Sequence, residues 1–346
     1  MIATPWPALT VLARHAGEID PFDPGERHRF RGEEAFAADV TGWRRWSKPS
    51  PEPAVDEDFR RLLLAAIDRG GPALAAGVER LASQIVRADA RPPLLVAILR
   101  AGVPVAHLLA RALARHYGEP VPQVALSLFA GLGWDAPALE TALRAHPGRP
   151  VWFVDGWTSK GGVARELAAA YARWLDAGHR DFAGPEGPRL AVLVDPNRLA
   201  TATGLVADRL VPSACFTAPE TLGFSRGFAT SDGAMFQTYG FPPALLQPRL
   251  VQAWCALGDH GVPPAPEDRQ APPAEPPPPG WRLHVNEVVR ALINRDPRAL
   301  WLAADEAQAA DTLAPVLHLA RLREVPVRFG VPQVSAWGAL AAARMA

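Results

Sequence analysis

From residue 56 onward two apolar patterns alternate along the chain. One is the unbroken run: Leu94 to Ile98, Val121 to Leu128, Val151 to Val154, and Leu190 to Val194 ending at Asp195. Runs of this kind, bounded by Gly, Pro or charge, read as strands buried on both faces. The other pattern places apolar residues at helical spacing. Phe59, Leu62, Leu63, Ala66 and Ile67 share one face; Gly70-Gly71-Pro72 then breaks the run, and Leu74, Val78, Leu81, Ile85 and Val86 continue on a second helix. Further helices are predicted from Pro104 through His116, over 136–145, and from Val163 to Tyr171, with Leu210-Val211 as one more short strand. This alternation predicts an α/β domain over 56–261, with a mostly parallel sheet, helices on both faces, and a site at the carboxyl ends of the strands.

The flanks read differently. Residues 1–55 are rich in Pro, Asp and Arg with scattered aromatics, and predict an irregular arm packed on the main domain. Residues 262–280 contain Pro-Pro-Ala-Pro and Pro-Pro-Pro-Pro, the composition of a semi-rigid linker. Beyond it, 281–346 suit a compact αβ module: a helix starting at Val285, a strand from Ala299 to Asp305, a helix over 306–323, and a strand from Val325 to Phe329.

The chemistry is concentrated after two of the strands. Val151 to Val154 leads into Asp155-Gly156-Trp157-Thr158-Ser159-Lys160-Gly161-Gly162, and a helix follows. A strand, a loop of small residues and a helix N-terminus form a phosphate cradle, because free backbone N–H groups and the helix dipole favour an anion there. The common ATP loop is excluded, since Lys160 precedes the glycine pair, and no G-x-G-x-x-G is present. Ile98-Leu99-Arg100-Ala101-Gly102 is a second strand end with a tight backbone and an Arg for phosphate oxygens. The plainer reading of both is an ordinary strand-to-helix turn.

Composition narrows the rest. Zero formal net charge argues against an extended basic surface for long nucleic acids but leaves a local RNA contact open. Cys215 and Cys255 are too few for a disulfide framework and suit a reducing cytoplasm. No run of 18 apolar residues predicts a membrane span. C-x-x-C and H-E-x-x-H spacings are absent, so structural zinc is not expected. Trp134 and Trp157 lie in predicted loops, where they could stack on a base or simply pack.

The Asp155–Gly162 stretch resembles the phosphoribosyl-diphosphate (PRPP) loop of type I phosphoribosyltransferases, although that loop usually has two adjacent acids where this chain has Asp155-Gly156. The Leu-Arg-Ala-Gly at 99–102 is similar to the pyrophosphate loop of uracil-type enzymes. Together with Val211-Pro212-Ser213-Ala214, these motifs resemble a bacterial family associated with tellurite-resistance and stress operons. Its members join a phosphoribosyltransferase-like domain to a C-terminal pelota-type RNA-binding domain, and some carry the label "cysteine protease StiP".

The resemblance implies that Thr158, Ser159, Lys160, Gly161 and Gly162 hold a ribose 5-phosphate. Leu99, Arg100, Ala101, Gly102 and Val103 would wrap pyrophosphate, and Asp155 would meet ribose hydroxyls directly or through Mg²⁺, with Asp155 and Arg100 as the catalytic pair. It also implies a pelota-like αβα module in which Asn286, Glu287 and Arg290 meet structured RNA; the plainer reading makes them a cap and a first-turn acid. Three functions follow in order: a Mg²⁺-assisted phosphoribosyltransferase acting on PRPP or a ribose 5-phosphate-containing metabolite, an RNA-associated nucleotide-sensing protein without turnover, and a peptidase using Cys215.

Overall fold

The computed structural model describes residues 2, 4–32, 40–184, 186–259 and 276–345. Its centre is a six-stranded parallel sheet in the order Leu9–Val11, Gln123–Leu126, Leu94–Ile98, Val151–Trp157, Arg189–Val194, Ala202–Leu205. Every position of Leu94–Ile98 and Val151–Trp157 is buried, which is why both read as unbroken apolar runs. Helices Glu57–Ala88 and Gly102–Tyr117 pack on one face, and Ala136–Ala145 and Gly162–Asp176 on the other. The chain leaves Leu94–Ile98 toward one edge of the sheet and returns to its other side at Val151–Trp157. That reversal opens a crevice at the carboxyl ends of the two central strands.

Several sequence expectations are corrected. Gly70-Gly71-Pro72 does not divide two helices, because Glu57–Ala88 runs through Pro72 as one helix. An interior proline costs about 3 kcal/mol, and the buried face that includes Phe59, Leu63, Ile67, Leu74 and Leu81 offsets it. Gly71 is there for close packing: a Cβ on it would meet Leu257 at 2.6 Å. The arm is more regular than expected. Leu9–Val11 forms an edge of the main sheet, and Arg14–Glu18 pairs in parallel with Gln237–Gly240. Leu210-Val211 is not a strand but the approach to a 3-10 turn at Pro212–Cys215, while Ala202–Leu205 is a strand that the pattern did not announce.

The C-terminal unit holds a mixed four-stranded sheet in the order Trp281–Leu283, Ala341–Arg344, Ala299–Leu302, Val327–Arg328. The helix expected over 306–323 is two, Glu306–Thr312 and Ala314–Leu322, with Pro315 in the first turn of the second. Most of the proline-rich linker lies outside the described residues; 276–280 are irregular and turn into Trp281–Leu283. One hydrophobic core runs through both units, with Phe59 and Leu63 in the same cluster as Val288, Leu292 and Leu319. Polar bonds fix the junction. Asn286 Oδ1 accepts from Val211 N (2.8 Å) and its Nδ2 donates to Arg209 O (2.8 Å); Asp208 accepts from Val285 N and Leu340 N; His318 Nε2 lies 2.9 Å from Asp56 Oδ1. Among the described residues, no helix is long and apolar enough to cross a membrane.

Candidate functional site

The loops after the two central strands meet in the crevice, and two glycines set how closely. A Cβ on Gly102 would lie 2.1 Å from Val154 O, and one on Gly156 would lie 3.1 Å from Ala101 O. Each loop therefore rests on the other's backbone. The position that carries a second acid in PRPP loops is held here by a residue pressed on Ala101, which gives Gly156 a packing reason. Gly161 takes the left-handed conformation (φ 68°) and turns the chain into the helix Gly162–Asp176. Gly162 has nothing within 4 Å of a Cβ, so it opens onto free space.

The crevice is a cavity of about 740 Å³ lined by Leu99, Arg100 and Ala101 from one loop and Thr158, Ser159, Lys160 and Gly162 from the other. Asp155 and Trp157 also face it. The C-terminal unit supplies the opposite wall through Trp281, Arg282, Glu287, Arg290 and Asn294. Trp157 Nε1 donates to Glu287 Oε1 at 3.1 Å, and Ser159 Oγ lies 2.6 Å from His284 Nδ1. Burial pushes the His284 pKa down to about 4, so the ring is neutral near neutral pH.

Cations dominate this space. Arg100 is paired with Glu52, a buried acid from the N-terminal arm that also accepts from Ala218 N at 3.2 Å. Arg226 lies over Trp46 and Phe129, 5.2 and 5.0 Å from the ring centroids. Burial, followed by the charges of Arg31, Arg100 and Arg290, pushes its pKa down to about 9. Burial and Arg100 lower Arg290 to about 10. Asp155 is 6% exposed and accepts from Gly156 N at 2.8 Å; burial first and Glu287 second raise it to about 7, against the pull of Arg290. The guanidiniums lower one another's pKa, so positive charge is concentrated in this space.

Of the residues singled out in sequence, the structure brings Thr158, Ser159, Lys160, Gly162, Leu99, Arg100, Ala101, Asp155, Glu287 and Arg290 to one cavity. Gly161 stands behind them as the turn. Val103 is fully buried in the core, and its N bonds Arg100 O at 3.2 Å, so neither its side chain nor its amide faces a ligand. Of the three residues expected to meet RNA, Asn286 is not presented to solvent. Asn286 is 1% exposed with both ends of its amide engaged across the junction, and Glu287 and Arg290 face the cavity. Trp134 stacks on Phe153 in the core. Cys215 is fully buried, its thiol is pushed up to about 12, and among the described residues no histidine hydrogen-bonds it. Glu52, Arg226, His284, Asn294 and Arg282 escaped sequence reasoning, because no local motif marks a lone Arg or Glu that a distant loop carries to the site.

Fold and site together define an α/β protein with a helix-flanked parallel sheet and a cation-lined pocket at the carboxyl ends of its strands. Residues 41–239 match the family described as "Tellurite-like stress resistance cysteine protease StiP", and the chain belongs to that family. A cysteine protease StiP of Acinetobacter baylyi is 31% identical over 207 residues, covering 59% of this chain and 50% of that one. The chain thus spans about half the length of this curated relative. Among solved structures, a hypoxanthine-guanine phosphoribosyltransferase of Bacillus anthracis overlaps 39% of this chain and 77% of its own at 18% identity and TM-score 0.27. The Leishmania tarentolae enzyme in complex with GMP overlaps 40% and 74%, at 18% identity and TM-score 0.26. Overlaps this loose bear no functional weight.

Proposed function

We propose that the pocket binds a ribose 5-phosphate group, as part of PRPP or a nucleotide-like metabolite, and that the protein transfers or removes the phosphoribosyl unit. One observation carries the reading: two small-residue loops, each ending a central strand, converge on a single cation-lined cavity at the switch point of the sheet. In this reading the free amides at Gly162 and Val163, with Thr158 and Lys160, hold the 5-phosphate. Leu99 to Ala101 face the leaving pyrophosphate, with Arg226 and Arg290 opposing its charge. Asp155 and Glu287 lie where positive charge grows on the ribose ring, so positioning and electrostatics do most of the catalysis.

Mg²⁺ fits as a ligand-borne ion rather than a resident one. Among the described residues no group of three acids, histidines or cysteines could hold a metal, whereas Mg²⁺ is commonly bound through one or two carboxylates plus substrate phosphates. Asp155 and Glu287 would be those carboxylates, and the ion would neutralise charge on the departing group.

Binding without turnover is the second reading. It is favoured by Gly156, which leaves Asp155 as the lone acid of its loop, and by the raised pKa that keeps Asp155 largely protonated below about 7. Calorimetric titration with PRPP and Mg²⁺ tests the pocket, and pyrophosphate release separates the two readings. Wild-type binding that survives both Gly162→Val and Lys160→Ala would remove the phosphate assignment. Pyrophosphate release that is lost in Asp155→Asn would establish turnover.

A further inference from the structure

Ser159 and His284 come from the two units and meet at the cavity. Ser159 lines the cavity, is 5% exposed, and its Oγ lies 2.6 Å from His284 Nδ1. The imidazole is also hydrogen-bonded to the Gly338 carbonyl. A carbonyl only accepts, and a neutral imidazole has one N–H to give. That N–H therefore goes to Gly338, and Nδ1 accepts the hydrogen of the Ser159 hydroxyl. The backbone behind the hydroxyl is fixed as well: Asn197 Nδ2 donates to Ser159 O at 2.7 Å, and Thr158 N to Val194 O at 3.0 Å. A hydroxyl bonded to an imidazole nitrogen, with the ring oriented by a third group, is the geometry of an activated nucleophile. Phosphoribosyl transfer uses neither group, and a hydroxyl whose hydrogen is committed to His284 does not donate to a phosphate.

Two features select the substrate. The buried ring is neutral near neutral pH but, at about 4, weakly basic. A base this weak suits an acyl donor that is already activated and whose leaving group departs without a proton. Three residues beyond Ser159 the helix Gly162–Asp176 begins, and its free N–H groups beside Lys160 favour an anion. An acyl phosphate meets both conditions.

We propose that Ser159 is the acyl acceptor, and His284 its base, in the hydrolysis of an acyl phosphate. Ser159 Oγ bonds to the carbonyl carbon as its hydrogen passes to His284 Nδ1. The bond from that carbon to the bridging oxygen breaks, and phosphate leaves with the bonding electron pair, taking up the proton from His284 afterwards. Water then attacks the acyl–Ser159 ester and gives a proton to His284, which returns it to Oγ. The carboxylic acid departs and the serine is restored, so one acyl phosphate and one water become one acid and one phosphate. The proposal rests on the phosphate reading of the Thr158–Gly162 loop only for the leaving group.

The test gives the full chain acetyl phosphate without divalent metal, and follows phosphate release and the mass of the peptide that carries Ser159. An acetyl ester on Ser159 is expected, with phosphate release lost in Ser159→Ala and slowed at least about a hundredfold in His284→Gln. Because the ring is already neutral, the rate should change by less than about threefold between about pH 6 and 8. An acetyl group on Lys160 and not on Ser159, or release at the wild-type rate in Ser159→Ala, overturns the assignment. A rate that climbs about tenfold per pH unit over that range removes His284 as the base. p-Nitrophenyl acetate, an activated ester without phosphate, separates the nucleophile from the loop. Acetylation of Ser159 by this ester but not by acetyl phosphate would sustain the nucleophile while removing the phosphate reading of the loop. Acetylation of Ser159 by neither reagent removes the proposal, whatever ribose 5-phosphate does.

Discussion

The two walls of the pocket are built on opposite principles. The sheet wall is shaped by backbone: Gly102 and Gly156 lock two loops together, and Gly161 and Gly162 open a helix N-terminus toward the cavity. Peptide dipoles, already fixed in place, add to the side-chain charges of Arg100 and Lys160 there. The wall from the helix Val285–Asn294 is made of side chains. Arg290, Glu287 and Asn294 project from one face of a helix whose other face is in the core. Its Arg290 charge lies where burial and then Arg100 disfavour it. The first wall should therefore fail by losing its shape. The second should fail by losing its charge, with the fold intact or improved.

The largest expected effect belongs to the first wall. Gly102→Ala drives a Cβ into Val154 O, a backbone atom of the central strand that cannot swing away. A loss of about 3 kcal/mol or more is expected in urea unfolding. Gly162→Val, where a Cβ meets nothing within 4 Å, should leave stability within about 1 kcal/mol while ribose 5-phosphate binding falls at least about tenfold. If Gly102→Ala unfolds at the wild-type denaturant concentration, the loops are not interlocked as described.

Next comes the second wall. Arg290→Met removes a deeply placed cation whose pKa is lowered to about 10 by burial and Arg100. Phosphoryl-ligand affinity should drop by about ten- to a hundredfold, while the melting temperature holds or rises, since an apolar side chain of similar length in place of a poorly compensated charge is often neutral or stabilising. A variant that both unfolds earlier and binds normally would make Arg290 a structural residue and erase the contrast between the walls.

The same contrast explains what could be read in the sequence. The sheet wall was visible because its logic is local. An apolar run, a small-residue loop and a helix start occupy a dozen consecutive positions, and those positions largely coincide with the cavity lining. The second wall was half visible: Asn286, Glu287 and Arg290 stood out as a helix start, but their direction depends on a junction nearly eighty residues away in sequence, where Asn286 clasps Arg209 and Val211. Arg226 and Glu52 gave no signal, since each reaches the site only through the tertiary fold. The misread break at Gly70-Gly71-Pro72 has the same origin. Local propensity favoured a turn, and packing of Gly71 against Leu257 decided for a helix.

A smaller effect links the walls through Asp155, which belongs to the first and feels Glu287 and Arg290 from the second. Its folded pKa is raised to about 7, chiefly by burial. A carboxyl raised in the folded state makes folding less favourable as pH climbs from the unfolded value toward the folded one, so the loss is complete only above about 7. Ionised, it also places a negative charge in the cation-lined pocket, where it would oppose a bound anion. Sulfate, which does not titrate in this range, should bind more weakly as pH rises through about 7, by at most about tenfold per pH unit. Asp155→Asn should flatten that profile and stabilise the protein near pH 8 by about 1 kcal/mol or more. A profile that keeps its slope in Asp155→Asn would assign the titration to another group.

The smallest expected effect on ligand binding is at Cys215, which lies in neither wall. The thiol is packed in the core at Pro212–Cys215, behind Arg290, and burial pushes its pKa up to about 12 even though Arg290 pulls the other way. A thiol that is neither ionised nor accessible is a poor nucleophile. Native protein should therefore resist alkylation at Cys215 by iodoacetamide near pH 8, the residue reacting only as the chain unfolds, while Cys255, half-buried on the helix Pro248–Ala256, reacts first. Cys215→Ala should cost about 1–2 kcal/mol for the small cavity it leaves and leave phosphoryl-ligand affinity unchanged. The family label makes this the informative negative. Rapid native labelling at Cys215, or a peptidase activity that disappears in Cys215→Ala while the pocket variants retain it, would place the chemistry outside both walls and reduce the pocket to a regulatory or structural site.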